Sequence, residues 1–222
     1  MKRLNIFVDE TGEFGFGRGS AKLYGVSLVF HEQKDDIKPE LRTLKQRLSE
    51  LGFNKMVHMG DLVMGHGDFE GMTIAERKKI YRYLYYFSLH IKAKYYTIII
   101  DKRNISKNSV LSKLIYEELM KKIDDCYKYF NKFDEIVVYY DGGQVELTKV
   151  IVRAFSVFGG YRRKSSFDHV EKKLFQVADM LTYLDKIIYK YDNNIKLTKT
   201  EVSFFNVKDT KIIIKELLHH RL

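Results

Sequence analysis

The chain has 222 residues with one Pro, one Cys and no Trp, and 39 Lys plus Arg against 29 Asp plus Glu give a formal net charge of +10. That length suits a single domain with a real core, and the lone Cys126 excludes an internal disulfide framework or a multi-cysteine zinc site. The charge favours a polyanionic partner, RNA or DNA; because the lysines are scattered along the whole chain, ordinary solvation is the competing reading.

The opening MKRLNIFVDE does not read as a secretory signal, because its apolar run is short and ends in carboxylates. No apolar stretch is long enough to span a membrane. The expectation is a soluble, cytoplasmic protein with no membrane partner. Ile6–Val8 and Lys22–Phe30 read as two strands, joined through TGEFGFGRGS, a Gly-rich hairpin connection. It is no phosphate-binding loop, since the closing Gly-Lys-Ser/Thr and the following helix are absent.

Pro39–Leu51 reads as a helix, with Leu41, Leu44, Leu48 and Leu51 on one stripe, Pro39 in its first turn and Gly52 past its end. The irregular NKMVHMGDLVMGHGDFEG follows. Thr73–Glu76 is a capping box that starts a helix running to about His90. Within that helix YRYLYYF offers aromatic rings for base stacking, with core packing as the simpler use. YYTIIID, ending at Asp101, reads as a strand. A helix is expected over about Ser109–Phe130, with Leu111, Leu114, Ile115, Leu119, Ile123 and Cys126 inward, the cysteine as a core thiol.

EIVVYYDGGQ repeats the opening pattern of an apolar strand that runs into a carboxylate, here Asp141. A helix to about Phe158 follows, and then a basic loop, YRRKSS. Helices over about Leu174–Tyr191 and near Asp209–His220 complete the chain. The order of elements predicts one mixed α/β domain, with strands at both its start and its middle; the mixed β-sheet flanked by α-helices is what the resemblance described below implies. The domain spans 1–222, with a helical insertion near 35–52 and a short C-terminal helical extension near 207–222.

Asp9, Asp101 and Asp141 each stand at the end of a strand, and in open α/β sheets the crevice beyond strand ends is the usual ligand site. Turn or cap roles are the plainer reading of each one alone. On the last long helix Gln176, Asp179 and Tyr183 fall on a strip beside the apolar face, so Asp179 either faces the sheet or is solvated. Two carboxylates about 4 Å apart repel by on the order of 4 kcal/mol at an effective dielectric near 20. Such a cluster takes up protons or a cation, and oxygen donors suit Mg²⁺ or Mn²⁺.

Together FVDETGEFG, YGVSLVF, VHMGDL, VVYYDGGQ and LFQVADMLTYL resemble the domain-of-unknown-function family 3800, over about residues 5 to 191. Thr11 stands where that family usually has Ser. The resemblance implies a ribonuclease H-like fold with an acidic metal site. It implies Asp9, Asp141 and Asp179 as catalytic and metal-binding residues. Glu10, Gln176 and His58 match recurrent family positions, while Asp101 has no firm counterpart.

The expected function is a divalent-metal-dependent nuclease that hydrolyses phosphodiesters of RNA or DNA. In that reading His58 shuttles a proton or is a plain loop histidine. Glu10 touches the metal or caps the turn. Gln176, Arg162, Arg163 and Lys164 hold substrate, with a solvated loop as the alternative for the basic three. A non-catalytic nucleic-acid or protein-binding module keeping the fold is the rival. A mononuclear zinc hydrolase using His58, Asp61 and His66 is a third reading, though their spacing matches no zinc signature.

Overall fold

The computed structural model describes the chain except residues 18, 167, 207–211 and 214 and the side chains of 169 and 218. Five strands form one mixed sheet in the order β3-β2-β1-β4-β5. They are β1 (Arg3–Thr11), β2 (Leu23–Glu32), β3 (Ala93–Asp101), β4 (Glu135–Tyr139) and β5 (Tyr161–Lys164). β2 runs antiparallel to β1 and β3, while β4 runs parallel to β1 and β5. The C-terminal ends of β1, β3, β4 and β5 therefore share one edge of the sheet.

Alternation along β1 divides the core in two. Ile6 and Val8 join Val26, Leu28, Val138 and Tyr140 under α4 (Asn108–Asp125) and α6 (Val145–Phe155). Phe7 joins Val29, Val137 and Tyr139 on the other face. That face is covered by α1 (Lys38–Glu50), α2 (Met59–Met64), α3 (Ile74–His90) and α7 (His169–Asp192). Phe7 stacks on Tyr139 with ring centroids 4.6 Å apart and meets the edge of Phe175 from α7 at 6.3 Å.

Several elements differ from the sequence reading. YRRK is an edge strand, not a loop: its first residue pairs with Ile136 and its last with Tyr139. Its residues are short of apolar character because one side has no neighbouring strand. The long helix expected to end at Phe130 breaks at Cys126, and α5 (Tyr127–Phe130) continues from there. Cys126 is half-buried against the core, as expected of a core thiol, but Leu114 is exposed rather than inward. The capping box at Thr73 and Glu76 forms. α7 starts five residues earlier than its apolar stripe, because Asp168 and Glu171 make a second capping box. α8 (Lys199–Phe204) was not foreseen. The expected Asp209–His220 helix falls in part outside the described residues; within them 212, 213 and 215–217 are helical, and Leu218–His220 follows as a 3-10 turn.

The insertion between β2 and β3 is larger than residues 35–52. It holds α1, α2 and α3, and α1 packs along α3. No helix among the described residues is long and apolar enough to cross a membrane.

α7 lies unusually close to the sheet at Gly25. A Cβ there would sit 2.8 Å from Thr182 Cγ2 and 2.9 Å from both Ile99 Cδ1 and Thr11 Cγ2. Side chains on three elements would have to move. Gly25→Ala is expected to destabilise the protein by about 1–3 kcal/mol, the usual cost of overpacking. Urea denaturation followed by circular dichroism measures it, and an unchanged midpoint would show that α7 is not held so close.

Candidate metal centre

β1 remains regular through Thr11, so Asp9 and Glu10 are strand residues pointing to opposite faces. Phe7 pairs with Tyr139 in parallel register. Asp9 and Asp141 each lie two residues beyond that pair, which brings both to the same end of the sheet. α7 supplies Asp179 from above the face that carries Asp9. The charges of Asp141 and of the helix acid Asp179 both act on Asp9, so these three acids are neighbours, while Asp101, which the strand-end pattern grouped with Asp9 and Asp141, is not among them.

The electrostatics are those of crowded, partly buried acids. Burial raises the Asp9 carboxyl well above the ordinary range, and the charges of Asp179, Glu10 and Asp141 push it further the same way. Asp179 is raised to about 6 by burial, against the pull of a hydrogen bond from the Met59 backbone N–H and of His58 and Lys186. That bond is 2.7 Å long and ties the first turn of α2 to the site. Arg77 holds the far end of α2 by donating to the carbonyls of Leu62 at 2.6 Å and Val63 at 2.7 Å.

Glu10 does not cap a turn. Its Oε1 accepts from the Tyr140 hydroxyl at 3.0 Å, and that hydroxyl accepts from the Gln144 backbone N–H at 2.8 Å. The Gln144 side chain in turn donates to the Gly12 carbonyl at 2.9 Å. Burial raises Glu10 to about 7, with Asp141 adding to the rise and the Tyr140 and Gln144 bonds opposing it. Its other oxygen, Oε2, is buried with no hydrogen-bond partner. A side chain at Gly143 would meet Glu10 Oε1 at 3.3 Å and Asp141 Oδ1 at 3.4 Å. The two carboxylates therefore face a common space over the Gly142–Gly143 turn.

Two site residues were not singled out in the sequence. Lys186 donates to Thr11 Oγ1 at 3.2 Å, and burial, with Lys190 adding, lowers its ammonium to about 8. Its seven-residue offset from Asp179 on one helix was the available signal. Tyr140, next to Asp141, was legible only through the parallel register.

The other candidates are placed differently. Asp101 ends β3 but pairs with Arg103, whose bonds hold its carboxyl below the usual range. It does not share the acidic site. Gln176 is buried, and its carbonyl oxygen accepts from Lys173 at 2.9 Å, while its Nε2 is unpartnered. Arg162 pairs with Glu135 at 3.0 Å, at the start of β4 and so at the opposite end of the sheet from Asp141. Lys164 stands beside Tyr139, two residues short of the level of Asp141, with its ammonium 5.3 Å from the ring centroid. Arg163 is exposed and points to the other face. His58 is exposed at the N-terminus of α2, and Tyr81, Tyr85 and Phe87 are buried as core packing.

Among the described residues no group of three or more His, Cys, Asp and Glu side chains is already gathered as metal ligands. That holds for the acids at the strand ends and for His58, Asp61 and His66 alike. The donor chemistry at the strand ends nonetheless fits a hard cation. The donors are all oxygen, the like charges lack a counter-ion equal to them, and one buried carboxylate oxygen is unpartnered. No protein-family model, curated protein or solved structure matches the chain.

The raised carboxyls set a pH dependence. A carboxyl whose pKa rises on folding stabilises the fold when protonated, and that contribution is lost as pH climbs through the folded value. For Glu10 the window runs from the ordinary 4.5 to about 7. Glu10→Gln is therefore expected to gain stability over wild type as pH rises through that window, by up to on the order of 3 kcal/mol in metal-free buffer. Denaturation midpoints at pH 4, 6 and 8 measure it; parallel curves for the two proteins would refute the buried-charge assignment.

Proposed function

We propose that the chain is a divalent-metal-dependent nuclease of ribonuclease H-like fold that hydrolyses phosphodiesters of RNA or DNA. The observation that carries this reading is the crowding of Asp9 and Asp179, both half-buried and both raised, beside Asp141 and Glu10 at one sheet edge. A protein gains nothing for folding from such a cluster unless something positive enters it. The mixed sheet, the strand-end carboxylates and a helix-borne Asp are the arrangement that a resemblance to family 3800 calls for.

Asp9, Asp141 and Asp179 would hold Mg²⁺ or Mn²⁺, with Glu10 Oε2 as a further oxygen donor. The ion would supply Lewis-acid stabilisation of the charge that develops on phosphate oxygens. The chain's own residues do the rest. The Met59 N–H fixes the rotamer of Asp179. The Tyr140 hydroxyl fixes Glu10 Oε1 and leaves Oε2 free to bind. Lys186, which acts on the charge of Asp179, would provide positive charge at the rim for a phosphate backbone. His58, exposed and close enough to Asp179 to act on its charge, is placed to take or give a proton at the site's open side.

One observation favours a second reading. The acids are near one another but not gathered as ligands, which suits a binding module that keeps the fold without turnover. The two readings part in one experiment. Purified wild type, Asp9→Asn and Asp179→Asn are incubated with labelled single- and double-stranded RNA and DNA in Mg²⁺, Mn²⁺ or EDTA. The nuclease reading expects cleavage by wild type with metal only, and a loss of at least about a hundredfold in each variant. Retention of nucleic acid on a filter without any cleavage would instead establish the binding module.

A further inference from the structure

α2 is six residues long, too short to keep its shape or its direction without help from its neighbours. Two side chains grip it, one at each end. Asp179 of α7 accepts the Met59 backbone N–H at its start, at 2.7 Å. Arg77 of α3 donates through Nη1 to the carbonyls of Leu62 and Val63 at its close, at 2.6 and 2.7 Å. An anion therefore meets the N–H end of the helix and a cation its carbonyl end, which are the placements that backbone dipoles favour.

Arg77 is a costly residue for that grip. It is 7% exposed, and no carboxylate among the described residues pairs with it. Its Nε is shielded from water and has no acceptor. A guanidinium buried on neutral carbonyls costs free energy that an apolar side chain would not. Its place is nonetheless closely defined. Cζ lies 5.9 Å from the centre of the Phe204 ring. A Cβ at Gly65, the left-handed residue that ends α2, would meet Cζ at 3.1 Å and Nη2 at 3.3 Å. What the guanidinium fixes is the direction of α2. That helix has His58 as its N-cap and Asp61 in its first turn, and the charges of both act on Asp179.

We propose that Arg77 is a positioning residue for the acidic edge: by holding the carbonyl end of α2, it sets where the Met59 N–H and His58 stand against Asp179. This chain of contacts does not depend on what the edge does; only its consequence for a bound cation rests on the metal reading above. The test compares ¹H–¹⁵N spectra and amide exchange of wild type, Arg77→Met, Arg77→Lys and Asp179→Asn. Asp179→Asn marks where the Met59 amide falls once its charged acceptor is gone. Arg77→Met is expected to move the Met59 amide toward that position and to speed its exchange by about tenfold beyond any change at Val8 and Leu28 in the central strands. Arg77→Lys, which keeps a cationic donor, is expected to lie between. A purely structural role lowers the unfolding midpoint and leaves the native Met59 shift where it is in wild type, and that result would overturn the proposal. Should Arg77→Met fail to fold, Arg77→Lys decides on the same shift. Mn²⁺ titration reads the consequence: binding about tenfold weaker in Arg77→Met, as when a bond that orients a metal ligand is lost. Unchanged Mn²⁺ affinity beside a wild type that binds would also overturn the proposal. No Mn²⁺ binding by wild type would refute the metal reading alone, and the Met59 shift would still decide on Arg77.

Discussion

Asp179 is carried by a helix and Asp9 by a strand, so the two approach only as closely as α7 approaches the sheet. Gly25 sets that distance. Any side chain at 25 would strike Thr182 and push α7 off β1 and β2 at the point where the acidic edge is built. Phe175 against Phe7 fixes α7 one turn before Asp179, and Thr182 over Gly25 fixes it just after. The helix carboxylate is held between those contacts. Its position follows from packing, and its charge is then a burden that packing imposes.

The size of that burden explains which electrostatic features matter here. Exposed ion pairs such as Lys113 with Glu117 contribute about 0.2–1 kcal/mol. At the acidic edge the charges of Asp179, Glu10 and Asp141 all act on Asp9 in the same direction as its burial, where solvent screens them less. The surface pairs therefore do not decide how stability responds to pH, and the acidic edge does. Lys186 offsets part of the repulsion. Its ammonium is itself made less favourable by burial, so one lysine does not neutralise the edge. Protons complete the compensation, or, in the function proposed above, a divalent cation would.

Much of this was legible in the chain because strand alternation and the β1–β4 register are encoded by apolar residues. Ile6, Val8, Ile136 and Val138 face one way and Phe7, Val137 and Tyr139 the other. The carboxylates that follow inherit those directions, so Asp9 and Asp141 were readable as a pair. Asp101 had the same local signal, but Arg103 two residues on satisfies it. A strand-end position says where a carboxylate stands and not what meets it. β5 was hidden because YRRK shows the composition of a solvated loop, and its pairing depends on backbone bonds with β4. Arg162 was read as a phosphate contact for its charge alone; its partner Glu135 lies 27 residues earlier in the chain and is joined to it only by the fold.

The opposite faces of β1 give the adjacent acids different constraints. Asp9 meets α7 and the charge of Asp179, while Glu10 meets Tyr140, whose hydroxyl is positioned by the Gln144 N–H. Gln144 also reaches the Gly12 carbonyl, so one side chain links the end of β1 to the start of α6. Lys102 braces the same connection by donating to the Gly15 carbonyl at 2.8 Å. Glu10 is therefore held by a polar network on neutral donors, which leaves its charge uncompensated and one oxygen free. A carboxylate kept for structure alone would be expected to have both oxygens satisfied. Its free oxygen is what the proposed metal site would use, and its charge acts on Asp9, so Glu10 goes with the acids of the edge and not with the turn that follows.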